Sequence, residues 1–290
     1  MNEKLIYSVA GHLFSIETPD RRVTSKIMSN YEPFYVENNE QDDFLFHLKG
    51  GEKVDIPEIP SDDTLEWNGV SYNVYHTPQG AIVSMKQDKR EYRFLASLNW
   101  KEIVSDLTLI DESEAVFLNS FLRLAFGMTS IIKYRTIKVH ASVTELNGKA
   151  LVFLGKSGTG KSTHSRLWRE FVPGCTLLND DEPLIRVFEN ESVRVYGAPW
   201  SGSTPCYRNE SAEVAAFVHL YQSPENKLTK LKNIEALSSL YTSTALLRSD
   251  VDNKNRVLDV VADILQRVPV YRLDCRPDAE AVSLTRSLLP

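Results

Sequence analysis

The spacing of apolar positions changes along the chain. From Lys4 to about Leu98 they fall in short alternating runs at 5–9, 23–27, 44–48, 72–76, 81–85 and 92–98, separated by polar stretches. Strict alternation turns one face of an extended chain to the core, so each run predicts a strand and the set predicts antiparallel β structure. Pro78-Gln79-Gly80 and the polar segment 86–90 supply turns that join the last three runs into a meander. Gly50-Gly51, Pro57, Pro60 and Asp62-Asp63 mark an exposed loop. Between 113 and 134 the period becomes helical, with Ala115, Val116, Leu118, Phe121, Leu122, Leu124, Ala125 and Met128 recurring at three- and four-residue steps. Apolar on two sides, this helix is expected to lie buried between domains, its aromatic and methionine side chains serving as core.

The pattern after it alternates strand and helix. Residues 137–145 predict a strand, Asn147-Gly148 a tight hairpin turn, and Ala150-Leu151-Val152-Phe153-Leu154 a buried strand. A helix over 163–171 is stopped by Pro173-Gly174. Strands follow at 176–178, 184–188, 193–196 and 215–220, helices at 234–247 and 253–268, a strand at 270–273 and a last helix over 278–289. A chain of 290 residues is long for a single core. The expected organisation is a β-rich N-terminal domain at 1–110, a connecting helix at 111–135 and an α/β domain at 136–290, α+β overall.

Between the strand at 150–154 and the helix at 163–171 runs Gly155-Lys156-Ser157-Gly158-Thr159-Gly160-Lys161-Ser162, an ungapped G-x-x-x-x-G-K-[ST] phosphate loop. Strand, glycine loop and helix are all in the order the motif requires. The backbone of Gly155, Ser157, Gly158, Thr159, Gly160 and Thr163 can curl around a polyphosphate at a helix N-terminus. Lys161 can neutralise its outer charge, and the Ser162 hydroxyl can ligate Mg²⁺. The expected cofactors are therefore ATP and Mg²⁺.

Charge and cysteine usage narrow the class. A net charge of −6 offers no basic stripe for a nucleic-acid backbone, so no nucleic acid is expected as partner. Three cysteines without a C-x-x-C pair suggest neither a zinc site nor a disulfide framework. No targeting segment or bilayer-length apolar stretch is read, so a cytoplasmic protein without membrane association is expected.

A phosphate loop names no reaction by itself. Asn179-Asp180-Asp181 lies about twenty residues past the loop, at the end of a short strand. Asp180 and Asp181 there can hold Mg²⁺, while one of them accepts a proton from an attacking hydroxyl. His140 stands on the strand that the Asn147-Gly148 hairpin folds back beside the loop, where an imidazole can donate a hydrogen bond or tune a carboxylate. The catalytic candidates are thus His140, Asp180 and Asp181, and the metal candidates Ser162, Asp180 and Asp181. Arg208 is a further residue able to reach a phosphate or an acidic substrate.

His140-Ala141-Ser142, the loop from Gly155 to Ser162 and Asp180-Asp181, in that order, resemble the C-terminal catalytic domain of HPr kinase/phosphorylase, whose P-loop fold is shared with phosphoenolpyruvate carboxykinase. The resemblance covers roughly the half of the chain from Ile137 onward. It implies a mixed-sheet P-loop kinase core behind a β-rich domain, and phosphorylation of a seryl hydroxyl on an HPr-like carrier, another protein or a modified peptide. His140 and Asp180 would assist transfer, Lys161 and Ser162 would hold phosphate and metal, and Asp181 would act as a metal or supporting group. A homo-oligomer is also implied. The family's E-I-R-G-x-G signature is missing; the nearest stretch is 196–203, which has no glutamate and puts the phosphorylase half of the chemistry in question.

Other classes account for the same residues less well. A GTPase needs N-K-x-D, and Asn226-Lys227-Leu228-Thr229 lacks the acid. A carboxykinase-like enzyme would need a manganese and oxaloacetate cluster that is not found. A non-catalytic ATP-binding sensor is the main alternative, although it has less need of a proton acceptor at Asp180-Asp181.

Overall fold

The structure is a computed structural model that describes residues 2–37, 43–67, 69–190, 192–202, 204–244 and 250–290. The chain is a mixed α/β protein with two mixed nine-stranded sheets. It forms two compact units, one built chiefly on Met1–Lys133 and one on Tyr134–Ala245 with Asp252–Pro290.

In the first unit β1 (Glu3–Val9) and β2 (His12–Thr18) are joined by Ala10-Gly11, both at positive φ, and α1 (Arg21–Ile27) follows. The remaining strands are β3 (Tyr35–Val36), β4 (Phe44–Lys49), β5 (Asp63–Trp67), β6 (Val70–Thr77), β7 (Gly80–Gln87), β8 (Arg90–Ser97) and β9 (Glu102–Ser105). Their order is β3-β1-β2-β4-β9-β8-β7-β6-β5. The expected meander is β6-β7-β8. Residues 23–27 were expected to be a strand and are helical. Asp20 caps α1 by accepting from the amides of Arg22 and Val23, and a cap with an inward-facing turn of Thr24 and Ile27 outweighs a short alternation. Strands β2, β3, β5 and β9 were not anticipated; β3 has two residues and β9 four, too few to establish a period.

Helix α2 (Ala115–Tyr134) packs within this unit: Phe121 stacks on Phe94 with ring centroids 3.7 Å apart, and Phe117 meets Tyr92 edge-on at 4.8 Å. Contrary to the sequence expectation, Glu112–Tyr134 is long and apolar enough to cross a membrane, although 56% of its most apolar window is buried inside the protein. Ahead of the helix, buried Glu114 accepts from the amides of Thr108 and Leu109 and from the Thr108 hydroxyl.

The second unit contains β10 (Thr136–Lys138), β11 (Ala141–Leu146), β12 (Lys149–Leu154), α3 (Lys161–Phe171), β13 (Thr176–Asp181), β14 (Leu184–Val187), β15 (Val193–Tyr196), β16 (Ser211–Gln222), β17 (Lys227–Lys230), α4 (Asn233–Tyr241), α5 (Val251–Arg267), β18 (Val270–Cys275) and α6 (Ala279–Arg286). The main path of its sheet is β10-β14-β15-β16-β12-β11-β13, with β18 on β16 and β17 on β18. Strands β12, β16 and β18 run parallel, and β11-β12 is the expected hairpin, with Asn147 and Gly148 both at positive φ. The predicted single strand 137–145 is two, interrupted at Val139-His140. The helix expected at 234–247 ends at Tyr241, and residues 245–249 lie outside the described ones. One core places Leu151, Phe153, Val218 and Leu273 of the sheet with Leu167 and Trp168 of α3 and Val282 of α6. This packing fixes α3, and therefore the loop before it, against the ends of the parallel strands.

Candidate nucleotide and phosphoryl-transfer site

The glycine loop leaves the C-terminal end of β12 and enters α3 directly. Gly155 has φ 144°, and a Cβ placed there would sit 2.6 Å from Thr159 Oγ1, so no side chain fits without moving the loop. Gly160 is the helix N-cap at φ 104°, a region L residues avoid. Thr159 ties the loop to itself through its amide and hydroxyl, both donating to Lys156 O. The first-turn amides of α3 face the cradle without intrahelical acceptors, the usual basis of an anion site.

Lys161 is buried and donates to Gly155 O at 2.9 Å and Lys156 O at 3.3 Å, so its ammonium closes the loop from inside. Burial pushes its pKa below the ordinary lysine value, against the opposing pull of Asp181 and then Asp180. Both aspartates are therefore electrostatic neighbours of the loop lysine, although they are about twenty residues away in sequence. The register explains this: β11 bridges the two, pairing with β12 on one side and with β13 on the other, where Ser142 faces Asp180 and Ala141 faces Asp181.

The two acids have different neighbours. Ser162 Oγ donates to Asp180 Oδ1 at 2.9 Å, and Asp180 is almost fully buried. His140 Nδ1 stands 3.3 Å from Asp181 Oδ1, with both side chains partly accessible. Sequence reading paired His140 with Asp180; the fold pairs it with Asp181, because the chain between β10 and β11 leaves the ladder at Val139-His140 and His140 N donates to Ser243 O behind α4.

Whether Mg²⁺ fits can be judged from Ser162 and Asp180. Two oxygens bound to one Mg²⁺ at right angles are about 3.0 Å apart for metal–oxygen distances of about 2.1 Å, close to the 2.9 Å between Ser162 Oγ and Asp180 Oδ1. Among the described residues no group of three or more His, Cys, Asp or Glu could hold a metal.

The stretch from 197 to 202, which lacks the glutamate of the resembled family, nevertheless borders the site. Asn179 Nδ2 donates to the carbonyls of Ala198 and Trp200, and Gly202 N donates to Asp180 O at 2.5 Å. Ser203 lies outside the described residues. Arg208 does not serve the site: it donates to Thr176 Oγ1 and Leu177 O at the opposite end of β13 and pairs with Glu210.

Sequence reading missed the other wall. A cleft of 400 Å³ lies outside the C-terminal ends of the parallel strands, with Gly158, Gly160 and Thr163 on one side and Gln222, Ser223 and Arg276 on the other. Gln222 Nε2 reaches Gly158 O at 3.3 Å. Such a crevice beside the phosphate loop is where α/β sheets place ligands, but Gln222 and Arg276 belong to no motif and only their strand ends signal them. His219, opposite Leu154 on β16, was also missed. It bonds Ser239 Oγ at 2.7 Å, and burial, then nearby Lys161, lowers its pKa.

Compared with known protein families and with curated proteins, the sequence matches none. Among solved structures, the Hpr(Ser) kinase/phosphatase from Coxiella burnetii overlaps 52% of this chain and 87% of its own at 12% identity, with a TM-score of 0.32. An overlap that partial decides nothing about this chain.

Proposed function

We propose that this protein is a Mg²⁺-dependent ATP phosphotransferase with an HPr kinase-like core that phosphorylates a seryl hydroxyl on a protein or peptide. The observation that carries the reading is the meeting of Lys161, Ser162, Asp180, Asp181 and His140 at one end of the β12-β11-β13 sheet segment. The loop amides and Lys161 would hold the β- and γ-phosphates, and the cleft beside Gly158 and Gln222 would take the nucleoside. Mg²⁺ would be held by Ser162 and Asp180, and when bound it supplies neutralising charge on the outer phosphates. Asp181, oriented by His140, would accept the acceptor hydroxyl's proton as its oxygen bonds to the γ-phosphorus and the bond to the β-phosphate oxygen breaks. Cys175, Cys206 and Cys275 are free thiols, which suits the cytoplasm.

An ATP-binding sensor would use the same loop but would not need Asp181 as a proton acceptor. The test is radiolabel transfer from ATP into a lysate of the source organism, with binding of a fluorescent ATP analogue measured in parallel. Lys161→Ala is expected to weaken binding by roughly tenfold to a hundredfold, the worth of a charged hydrogen bond. Asp181→Asn is expected to bind the analogue as wild type does and to transfer about 10²-fold more slowly or worse. Equal transfer by wild type and Asp181→Asn, or none by either, would overturn the kinase reading and leave the sensor.

A further inference from the structure

The cleft beside the phosphate loop carries opposite charge at its two ends. At the loop end stand the first-turn amides of α3 and the Lys161 ammonium. At the far end Arg276 donates from Nε to Asp278 Oδ2 at 2.9 Å, from Nη2 to Glu280 Oε2 at 3.0 Å and from Nη1 to Pro224 O at 3.4 Å. Asn226 holds this group in place: its Nδ2 donates to Asp278 Oδ1 at 2.9 Å and to Glu280 Oε2 at 2.7 Å, and its Oδ1 accepts from Arg276 N at 2.8 Å. Two carboxylates there meet one guanidinium, so the group is net negative and repels a phosphate. Phosphates are drawn to the loop end, and the far end is left for an uncharged part of the ligand.

A guanidinium is planar, and its N–H groups lie in that plane. Each of the three Arg276 nitrogens already donates to a protein oxygen, which takes up most of the rim, yet the side chain is half exposed and lines the cleft. What it has left to offer a ligand is chiefly its flat face. A planar, delocalised and weakly hydrated cation stacks on aromatic rings, nucleobases included. Because protein oxygens fix the plane beforehand, little side-chain freedom is lost when a ring settles on it. Leu220 and Pro277 add apolar surface to the same cleft.

We infer that Arg276 is the platform on which the ligand's heteroaromatic ring stacks, so that the site selects a nucleoside triphosphate over a polyphosphate without a base. Recognition through the face depends on ring area, which favours a purine over a pyrimidine. The inference rests on the reading of residues 155–162 as a phosphate loop, but not on transfer of the phosphate. An exposed ion-pair cluster at the start of α6 with no ligand to serve would make a different prediction, since removing Arg276 would then leave the affinity for every ligand unchanged.

The experiment titrates the full chain with ATP, CTP and inorganic triphosphate, each with Mg²⁺, in a calorimeter. Wild type is expected to bind ATP roughly fivefold to a hundredfold more tightly than triphosphate, the worth of one stacked base, with CTP between them. Arg276→Ala should bring ATP down to the affinity of triphosphate and leave triphosphate itself within about twofold of wild type. Arg276→Lys keeps the charge but has no flat face, and should behave as Arg276→Ala does. Wild-type ATP affinity in Arg276→Ala overturns the inference, as does wild-type ATP affinity in Arg276→Lys, which would assign the effect to charge. A loss of triphosphate affinity in Arg276→Ala as large as that of ATP also overturns it, since Arg276 would then serve the phosphates. Should the variants fail to fold, the wild-type ratio decides: triphosphate that binds as tightly as ATP sinks the inference alone. Failure of wild type to bind either ligand sinks the phosphate-loop reading and the inference with it.

Discussion

His164 lies in the second turn of the phosphate-loop helix, 3% exposed, edge-on to Phe153 at 4.7 Å with Nε2 3.2 Å from Thr285 Oγ1. Burial lowers its pKa from 6.5 to about 4. The folded protein therefore holds a neutral imidazole that the unfolded chain protonates from pH 6.5 downward. The unfolded state binds the extra proton between these values, so stability is intact above pH 6.5 and is lost as pH falls through 6.5 towards 4. At 1.36 kcal/mol per pH unit the slope from this one residue integrates to about 3 kcal/mol, reached once the pH is below the folded value. A penalty of that size is a large fraction of the stability of a domain and acts on the helix that presents Lys161 and Ser162. The assay is urea unfolding over a pH series from above 6.5 to about 4, comparing wild type with His164→Gln, which keeps a donor for Thr285. Wild type should lose about 3 kcal/mol more than the variant across the window, with the two curves parallel above it. Parallel curves throughout would refute the claim that His164 is held neutral by burial.

Three further outcomes are expected. Gly155→Ala should destabilise by roughly 1–3 kcal/mol, because φ 144° is strained for any L residue and its Cβ meets Thr159; the added displacement of the loop should appear as weakened ATP-analogue binding. Glu114→Gln should cost about 1–3 kcal/mol in thermal or urea unfolding, since an amide cannot replace a carboxylate accepting from Thr108 and Leu109, and nucleotide affinity should be unchanged. Cys275 borders the cleft with its thiol pushed up to about 11, first by burial, so it should alkylate slowly, and more slowly still when a nucleotide is present; labelling followed by peptide mass mapping measures both rates.

Local sequence carried the elements whose geometry is set by near neighbours. The run 150–154, the glycine spacing of 155–162 and the Asn147-Gly148 turn specify strand, loop, helix and hairpin because the decisive constraints are backbone dihedrals within a few residues. Where alternation was weak or a cap intervened, local reading failed: residues 23–27 alternate like a strand, yet Asp20 captures the amides that start a helix. The strand expected at 137–145 concealed a break, because the departure of Val139-His140 from the ladder is fixed by contacts with Thr244 and Ser243 about a hundred residues on.

The chemistry divides in the same way. Which residue types could serve, His140, Lys161, Ser162, Asp180 and Asp181, was legible from spacing, since a phosphate loop followed by a strand ending in acids is a pattern of one chain segment. Which acid meets Ser162 and which meets His140 was not, because that depends on the register of β11 between β12 and β13 and on where the chain leaves the ladder before β11. The cleft wall of Gln222, Ser223 and Arg276 was likewise invisible: it forms only where the ends of β16 and β18 come beside the loop. A sequence determines what each residue can do within a few bonds of itself, whereas contacts between distant residues exist only after burial of the shared core has chosen one packing among many.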